Sequence, residues 1–273
     1  MVRSLWSAAT GMIAQQTNVD TISNNLANVN TAGYKTEVAE FKSLLYQNLQ
    51  TRTTSANGQQ KPISAQVGLG VRNSSITSIF TEGNFYESSS ASAFAIDGEG
   101  FFAVRTANGQ TQYTRNGNFN WAVGNKGTLN LTTSEGYQVL DTKGKPISIP
   151  ADYKTSEVTI TADGQLCYPD ASNNPQPMGI TIGLFQFQNP AGLEKTSSSL
   201  YKVTAASGQP INEATTNMAI TKSEVVQGYI EGSNVQVVDE MVNLIVAQRA
   251  YEMNSKVIQA SDDMMAQANQ LRS

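Results

Sequence analysis

Two long amphipathic helical patterns, one at each end of the chain, enclose a middle that reads as strands and turns. Residues Ser4–Val29 and Val235–Leu271 carry apolar side chains at helical spacing. The roughly 200 residues between them show short runs punctuated by turn residues. The fold class this implies is α+β. Its terminal helices form one coiled-coil-like module, residues 1–34 with 233–273, and an all-β domain is inserted between them. Residues 35–70 read as an extended arm or linker and residues 71–232 as a β-rich outer domain. That layout suits a subunit made to stack better than a pocket made to catalyse.

In the first helical segment Leu5, Ala9, Met12, Gln16, Val19, Ser23 and Leu26 alternate by four and three, a heptad seam with two polar positions. Trp6, Ile13 and Ile22 widen its apolar face. Asn24, Asn25, Asn28 and Asn30 favour caps and turns, and Gly33 permits a positive φ, so the helix is expected to end near Asn28. In the second segment Val238, Val242 and Ile245 start a stripe. Ala247, Ala250, Tyr251, Asn254, Val257, Ile258, Ser261, Met264, Met265, Ala268 and Leu271 continue it on a slightly rotated line. Asn234 reads as the N-cap, with Asp239 and Glu240 in the early turns, where the helix dipole favours acids. At about 1.5 Å per residue the helices span roughly 40 Å and 55 Å.

Burying an apolar side chain is worth about 1.5–3 kcal/mol, and ordering each residue costs about 1–2 kcal/mol. On that balance a lone helix of the second segment's length is poorly supported. The first helix covers one side of its stripe, and the remainder calls for other copies of the protein. The expected assembly interface is therefore Leu5, Met12, Val19 and Leu26 with Val238, Val242, Ile245, Tyr251, Val257, Ile258 and Met265. Both ends are expected to become ordered on assembly.

The middle carries strand runs at Phe94–Ile96, Phe101–Arg105, Thr128–Leu131, Tyr137–Leu140, Ile147–Ile149, Val158–Thr161, Gln165–Tyr168 and Ile180–Phe187. Asn108–Gly109 and Asn116–Gly117 read as hairpin turns. Frequent turn signals suggest a twisted sheet closing toward a barrel or sandwich. Gln47–Gln66 is polar with few apolar anchors, which reads as a flexible linker or as an arm that orders against neighbours.

Catalytic chemistry has little to stand on. The chain contains no histidine, so the commonest general base and metal ligand is missing. Cys167 is the only cysteine, and it lies in a predicted strand where a buried structural thiol is the expectation. Asp97 and Glu99 sit in a glycine turn as solvated acids, and Gly68–Gly70 lacks the third glycine of a nucleotide fingerprint. No catalytic residue, cofactor or metal is expected. The net charge of −4 argues against nucleic acid. No apolar run reaches the roughly 18 residues of a membrane span, and the N-terminus lacks the pattern of a cleavable secretory signal.

Three separated stretches then carry a resemblance. Ser23-Asn-Asn-Leu-Ala-Asn-Val-Asn-Thr-Ala-Gly-Tyr-Lys35 is similar to the N-terminal signature of bacterial flagellar rod and hook proteins, with Asn24, Asn25, Asn28, Gly33 and Tyr34 as its motif residues. Ala95–Phe102 and Tyr113–Phe119 resemble the β-domain that family shares, and Ser233–Val242 with Ala247–Ile258 resembles its C-terminal signature. Arg3-Ser-Leu-Trp6, Leu44-Leu-Tyr-Gln47 and the chain length are most similar to the distal rod branch.

The resemblance implies a homo-polymer in the basal body, a hollow shaft with terminal helices inside and β-domains outside. It implies proximal rod proteins, the hook protein and ring (bushing) proteins as neighbours, and delivery by the flagellar export apparatus. It also favours the ordered-arm reading of Gln47–Gln66. The alternatives are another axial subunit of the family and a β-rich cell-wall hydrolase.

Overall fold

The computed structural model describes residues 2–50, 65–124, 127–170, 174–197, 199–215 and 221–271. The chain divides into two compact units. One holds Met1–Ala27, Glu37–Ser78 and Gln236–Ser273, and the other Asn28–Thr36 and Ile79–Val235. Two long helices flank a chain that is otherwise mostly strand, so the fold is α+β.

In the first unit α1 (Val2–Ala27) is followed by β1 (Glu37–Ser43), β2 (Tyr46–Gln50), β3 (Ala65–Gly68) and β4 (Val71–Ser78). β1 and β4 pair antiparallel from Glu37 opposite Ser78 to Ser43 opposite Val71, with a bulge between Glu40 and Phe41. β2 pairs with β3. An isolated two-stranded ribbon is marginal in water, and this one leans on α1. Asn73 Nδ2 donates to Thr17 Oγ1 at 2.6 Å, and Val71 N–H donates to Thr10 Oγ1 at 3.4 Å. Gly70 adopts φ +107°, and a Cβ there would collide with the Thr10 hydroxyl.

The unit boundary therefore differs from the one expected at residue 71. Val71–Ser78 is the pairing partner of β1 and stays with the helices. Of the expected arm, 47–50 and 65–66 lie in this paired segment, and residues 51–64 lie outside the described residues.

The second unit contains β5 (Phe85–Glu87), β6 (Phe94–Asp97), β7 (Phe101–Arg105), β8 (Thr111–Thr114), β9 (Asn120–Val123), β10 (Thr128–Thr132), β11 (Gln138–Val139), β12 (Ser148–Pro150), β13 (Thr159–Ile160), β14 (Gln165–Pro169) and β15 (Pro175–Thr181). It continues with β16 (Leu184–Gln186), β17 (Glu194–Lys195), β18 (Leu200–Lys202), β19 (Ile211–Asn212), β20 (Glu224–Gln227) and β21 (Tyr229–Glu231). The last element, α2 (Val237–Gln270), returns to the first unit.

The main sheet runs in the order β12-β10-β11-β7-β8-β18-β17, with β16 also pairing β7 and β9 also pairing β10. Among the described residues the pairing path is branched and does not close into a ring. β7 shows why this sheet forms a core: its pleat sends alternate side chains to opposite faces. Phe102 and Val104 enter one cluster with Phe94, Phe119, Leu131 and Ile149, and Phe101 and Ala103 enter another with Tyr113, Leu140 and Tyr201. Edge-to-face rings, such as Phe102 on Phe119 at 5.1 Å, lock the first cluster.

Asn108–Gly109 does turn the hairpin between β7 and β8, with Gly109 at φ +75°. Asn116–Gly117 turns none: β8 and β9 do not pair with each other. Gly117 is pressed onto the Phe94 carbonyl, and its own carbonyl accepts from Phe94 N–H at 3.0 Å. The glycine there serves close backbone approach, which a dipeptide signal cannot tell from a turn.

Candidate assembly surface

The two terminal helices meet along a seam made of small and polar side chains. Ser4, Gly11, Asn18 and Asn25 recur every seven residues on α1, and Glu240, Ala247, Asn254 and Ser261 recur every seven on α2. Ser4 and Ser261 hydroxyls lie 3.3 Å apart. A Cβ at Gly11 would sit 2.9 Å from Asn254 Nδ2. The Asn25 side chain hydrogen-bonds the Glu240 carboxylate. Each step of seven up α1 is thus matched by a step of seven down α2, an antiparallel register with Asn18 and Ala247 at the intervening level. Ala247 and Ser261 are buried in it.

Asn25 also closes the end of α1. Its Nδ2 donates to Glu37 O at 2.8 Å and its Oδ1 accepts from Glu37 N–H at 2.9 Å, so one amide side chain copies a backbone pairing with β1. Asn24, by contrast, is exposed and donates to the Glu37 carboxylate.

Because small residues make the seam, the large apolar residues fall elsewhere. On α2, Val238 is 73% exposed, Val242 54% and Ile245 56%, and Tyr251 and Val257 are exposed as well. Ile258 and Met265 are half-buried, as are Leu5, Met12, Val19 and Leu26 on α1. Ile22 is buried, whereas Trp6 and Ile13, assigned to the same face, are exposed. Val19 and Tyr251 line a hollow of about 370 Å³ between the helices, together with Gln16, Gln248 and Glu252.

In the second unit the segment after α1 is anchored by charge. Asn28 is half-buried and accepts from Thr31 N–H and Oγ1–H, starting a turn. Gly33 follows at φ +67°, where a Cβ would lie 2.7 Å from backbone atoms of Arg115 and Asn116. Tyr34 is half-buried beneath the Lys195 ammonium.

Lys35 is fully buried. Its Nζ lies 2.6 Å from both Glu231 Oε1 and Thr81 O, and Arg115 Nε lies 3.0 Å from Glu231 Oε2. The Arg115 guanidinium also donates to the carbonyls of Gly98 and Gly100, and Gly83 N–H donates to Glu231. Burial and the Arg115 charge push Lys35 below its ordinary pKa, against the pull of Glu231.

Asn234 is part of the same anchoring and not the cap of α2. Its Oδ1 accepts from Thr36 N–H and Oγ1–H at 2.7 Å, and its Nδ2 donates to Ile79 O and Thr81 O. The N-cap position is held by Gln236, which makes no side-chain capping bond.

Lys35, Arg115, Glu231 and Asn234 are thus the fixing residues that a search for assembly and catalytic positions passes over. Their one sequence signal is that each lies in or beside a motif stretch. The single cysteine, Cys167, is buried in β14. Asp97 and Gly98–Gly100 link β6 to β7, strands that pair with different partners. Among the described residues no group of His, Cys, Asp and Glu stands where it could hold a metal ion, and no helix is long and apolar enough to cross a membrane.

Residues 5–35 match the family model described as flagella basal body rod protein. Residues 95–168 match the D1 domain of flagellar hook protein FlgE/F/G, and residues 226–271 match the C-terminal model of flagellar basal body rod FlgEFG protein. The chain is 41% identical to the flagellar basal-body rod protein FlgG of Borreliella burgdorferi, over 100% of its own length and 99% of that protein's. It is 42% identical to the protein of the same name from Agrobacterium fabrum, over 96% and 97% of the two chains. It is 30% identical to the flagellar hook-basal body complex protein FlhP of Bacillus subtilis, over the full length of both.

Proposed function

The chain belongs to the flagellar basal-body rod protein family as a structural subunit of the distal rod, and on that premise we propose that the exposed apolar face of its paired helices is the surface on which copies stack. The observation that carries this reading is the exposure of Val238, Val242 and Ile245 on a helix whose contact with α1 is made by small and polar residues. Each such side chain is worth about 1.5–3 kcal/mol when fully buried, so a row of them drives association without any change in the fold of one subunit. Leu5, Met12, Val19, Leu26, Tyr251, Val257, Ile258 and Met265 add to the interface from other parts of the helix pair, Val19 and Tyr251 from the hollow between the helices.

The subunit assembles with other rod and hook components in the flagellar basal body. More finely, its neighbours are copies of itself along the shaft, proximal rod proteins at one end and the hook protein at the other. Ring proteins surround it, and the flagellar export apparatus delivers it. Its role is mechanical and not catalytic, in keeping with the absence of histidine.

Ile245→Asp tests the reading. The side chain is exposed in the subunit, so the variant should fold like the parent, with unchanged circular dichroism. In a polymer it would bury an uncompensated charge, so sedimentation should find it unpolymerised under conditions where the parent forms rods. Normal polymerisation by Ile245→Asp would remove α2's apolar face from the interface.

A further inference from the structure

The helix seam contains one ionisable side chain without adequate partners. Glu240 lies at the first turn of α2 and is only 8% exposed. Its carboxyl hydrogen-bonds Asn25 of α1, while its Oε2 is buried with no hydrogen-bond partner. Asn25 cannot do more, because both ends of its amide are also committed to the Glu37 backbone.

The charged surroundings do not help. Asp239 stands beside Glu240 on α2 and repels its charge. On β1 the ionisable group at this end is Glu37, another acid. β4 adds none there, since Ser78 faces Glu37. In the last two turns of α1 the only titratable side chain is Asp20, which is acidic and exposed. The described residues place no basic group in an ion pair with Glu240.

The N-terminal dipole of α2 favours the anion here, but a buried carboxylate with one unpartnered oxygen and only acidic side chains around it remains costly, whereas the neutral acid is cheaper to bury. We propose that closure of the α1–α2 pair takes up a proton at Glu240, so that the helix pair is a pH-sensitive latch. Burial holds this carboxyl above its ordinary value of 4.5, against the Asn25 hydrogen bond. The paired state therefore binds more protons than the separated one. Its stability is full below about pH 4.5 and declines as pH rises through the value in the paired state. The device is independent of the stacking face, because Glu240 points into the seam between the helices of one subunit.

The test uses the full-length monomer, with selective carbon-13 labelling of glutamate carboxyls and Glu240→Gln to assign the resonance. The Glu240 carboxyl should titrate above 4.5 in the folded protein. In parallel, the thermal transition of the helix pair, read by helical circular dichroism, should fall as pH is raised from mildly acidic to neutral. In Glu240→Gln, which keeps the shape and removes the charge, that transition should stay high and lose this pH dependence. An ordinary titration of the Glu240 carboxyl would overturn the latch, and so would an unchanged pH dependence in Glu240→Gln. Glu240→Met is a second uncharged variant and should show the same flat profile.

Discussion

The three charges of the Lys35–Arg115–Glu231 cluster carry unequal weight. Glu231 is the only anion and serves two cations, Lys35 and Arg115, as well as the Gly83 N–H. Removing it leaves two buried cations facing each other. Removing Lys35 leaves a matched Arg115–Glu231 pair, and Thr81 O loses one of its two donors but keeps Asn234 Nδ2. Glu231→Gln should therefore cost about 3–5 kcal/mol, and Lys35→Met only about 1–3 kcal/mol. Urea unfolding read by Trp121, with Trp6 replaced by Phe, checks the order, and equal losses would mean that Lys35 is the true centre of the cluster. This cluster was not legible in the sequence, for a physical reason. Lys35 and Glu231 are 196 positions apart, and a charged residue reads as solvated until a fold brings its partner to it.

The helices themselves were legible, because apolar spacing of three and four sustained over 26 and 34 residues fits a helix and no strand. Which face meets which was not. Counting apolar residues favours Val238, Val242 and Ile245, whereas the contact between α1 and α2 is made through Gly11, Asn25, Asn254 and Ser261. Close approach of two backbones selects small residues, and hydrophobicity scales give those little weight. Asn234 illustrates the same limit, since a residue that suits an N-cap is used to tie Thr36 to the strand connection instead. Gly11→Leu isolates the effect. Leu is the better helix former by about 0.8 kcal/mol, yet its side chain needs the space of Asn254. Overpacking should lower the stability of the helix pair by about 1–3 kcal/mol, and Asn254→Ala should restore part of the loss. A more stable helix pair in Gly11→Leu would mean that the helices do not approach closely there.

At the scale of the whole molecule, the division of labour follows from where apolar surface ends up. The β-rich unit buries Phe94, Phe101, Phe102, Tyr113, Phe119, Phe187 and Tyr201 in two clusters around β7, and leaves Tyr86 and Tyr229 exposed. The helical unit joins its helices through polar contacts and keeps Trp6, Ile13, Val242 and Ile245 outside. On the proposed reading, those exposed side chains are the surface that neighbouring copies cover.

The most direct measurement places a thiol on that surface. Cys167 is the only native cysteine and is buried, so Ile245→Cys provides a reporter over a low background. In the monomer this thiol should react rapidly with a water-soluble maleimide, and in the assembled rod its rate should drop many-fold as neighbouring copies cover it. Equal reaction rates in monomer and rod would contradict the account, because the apolar face of α2 would then be open in the polymer it is held to build.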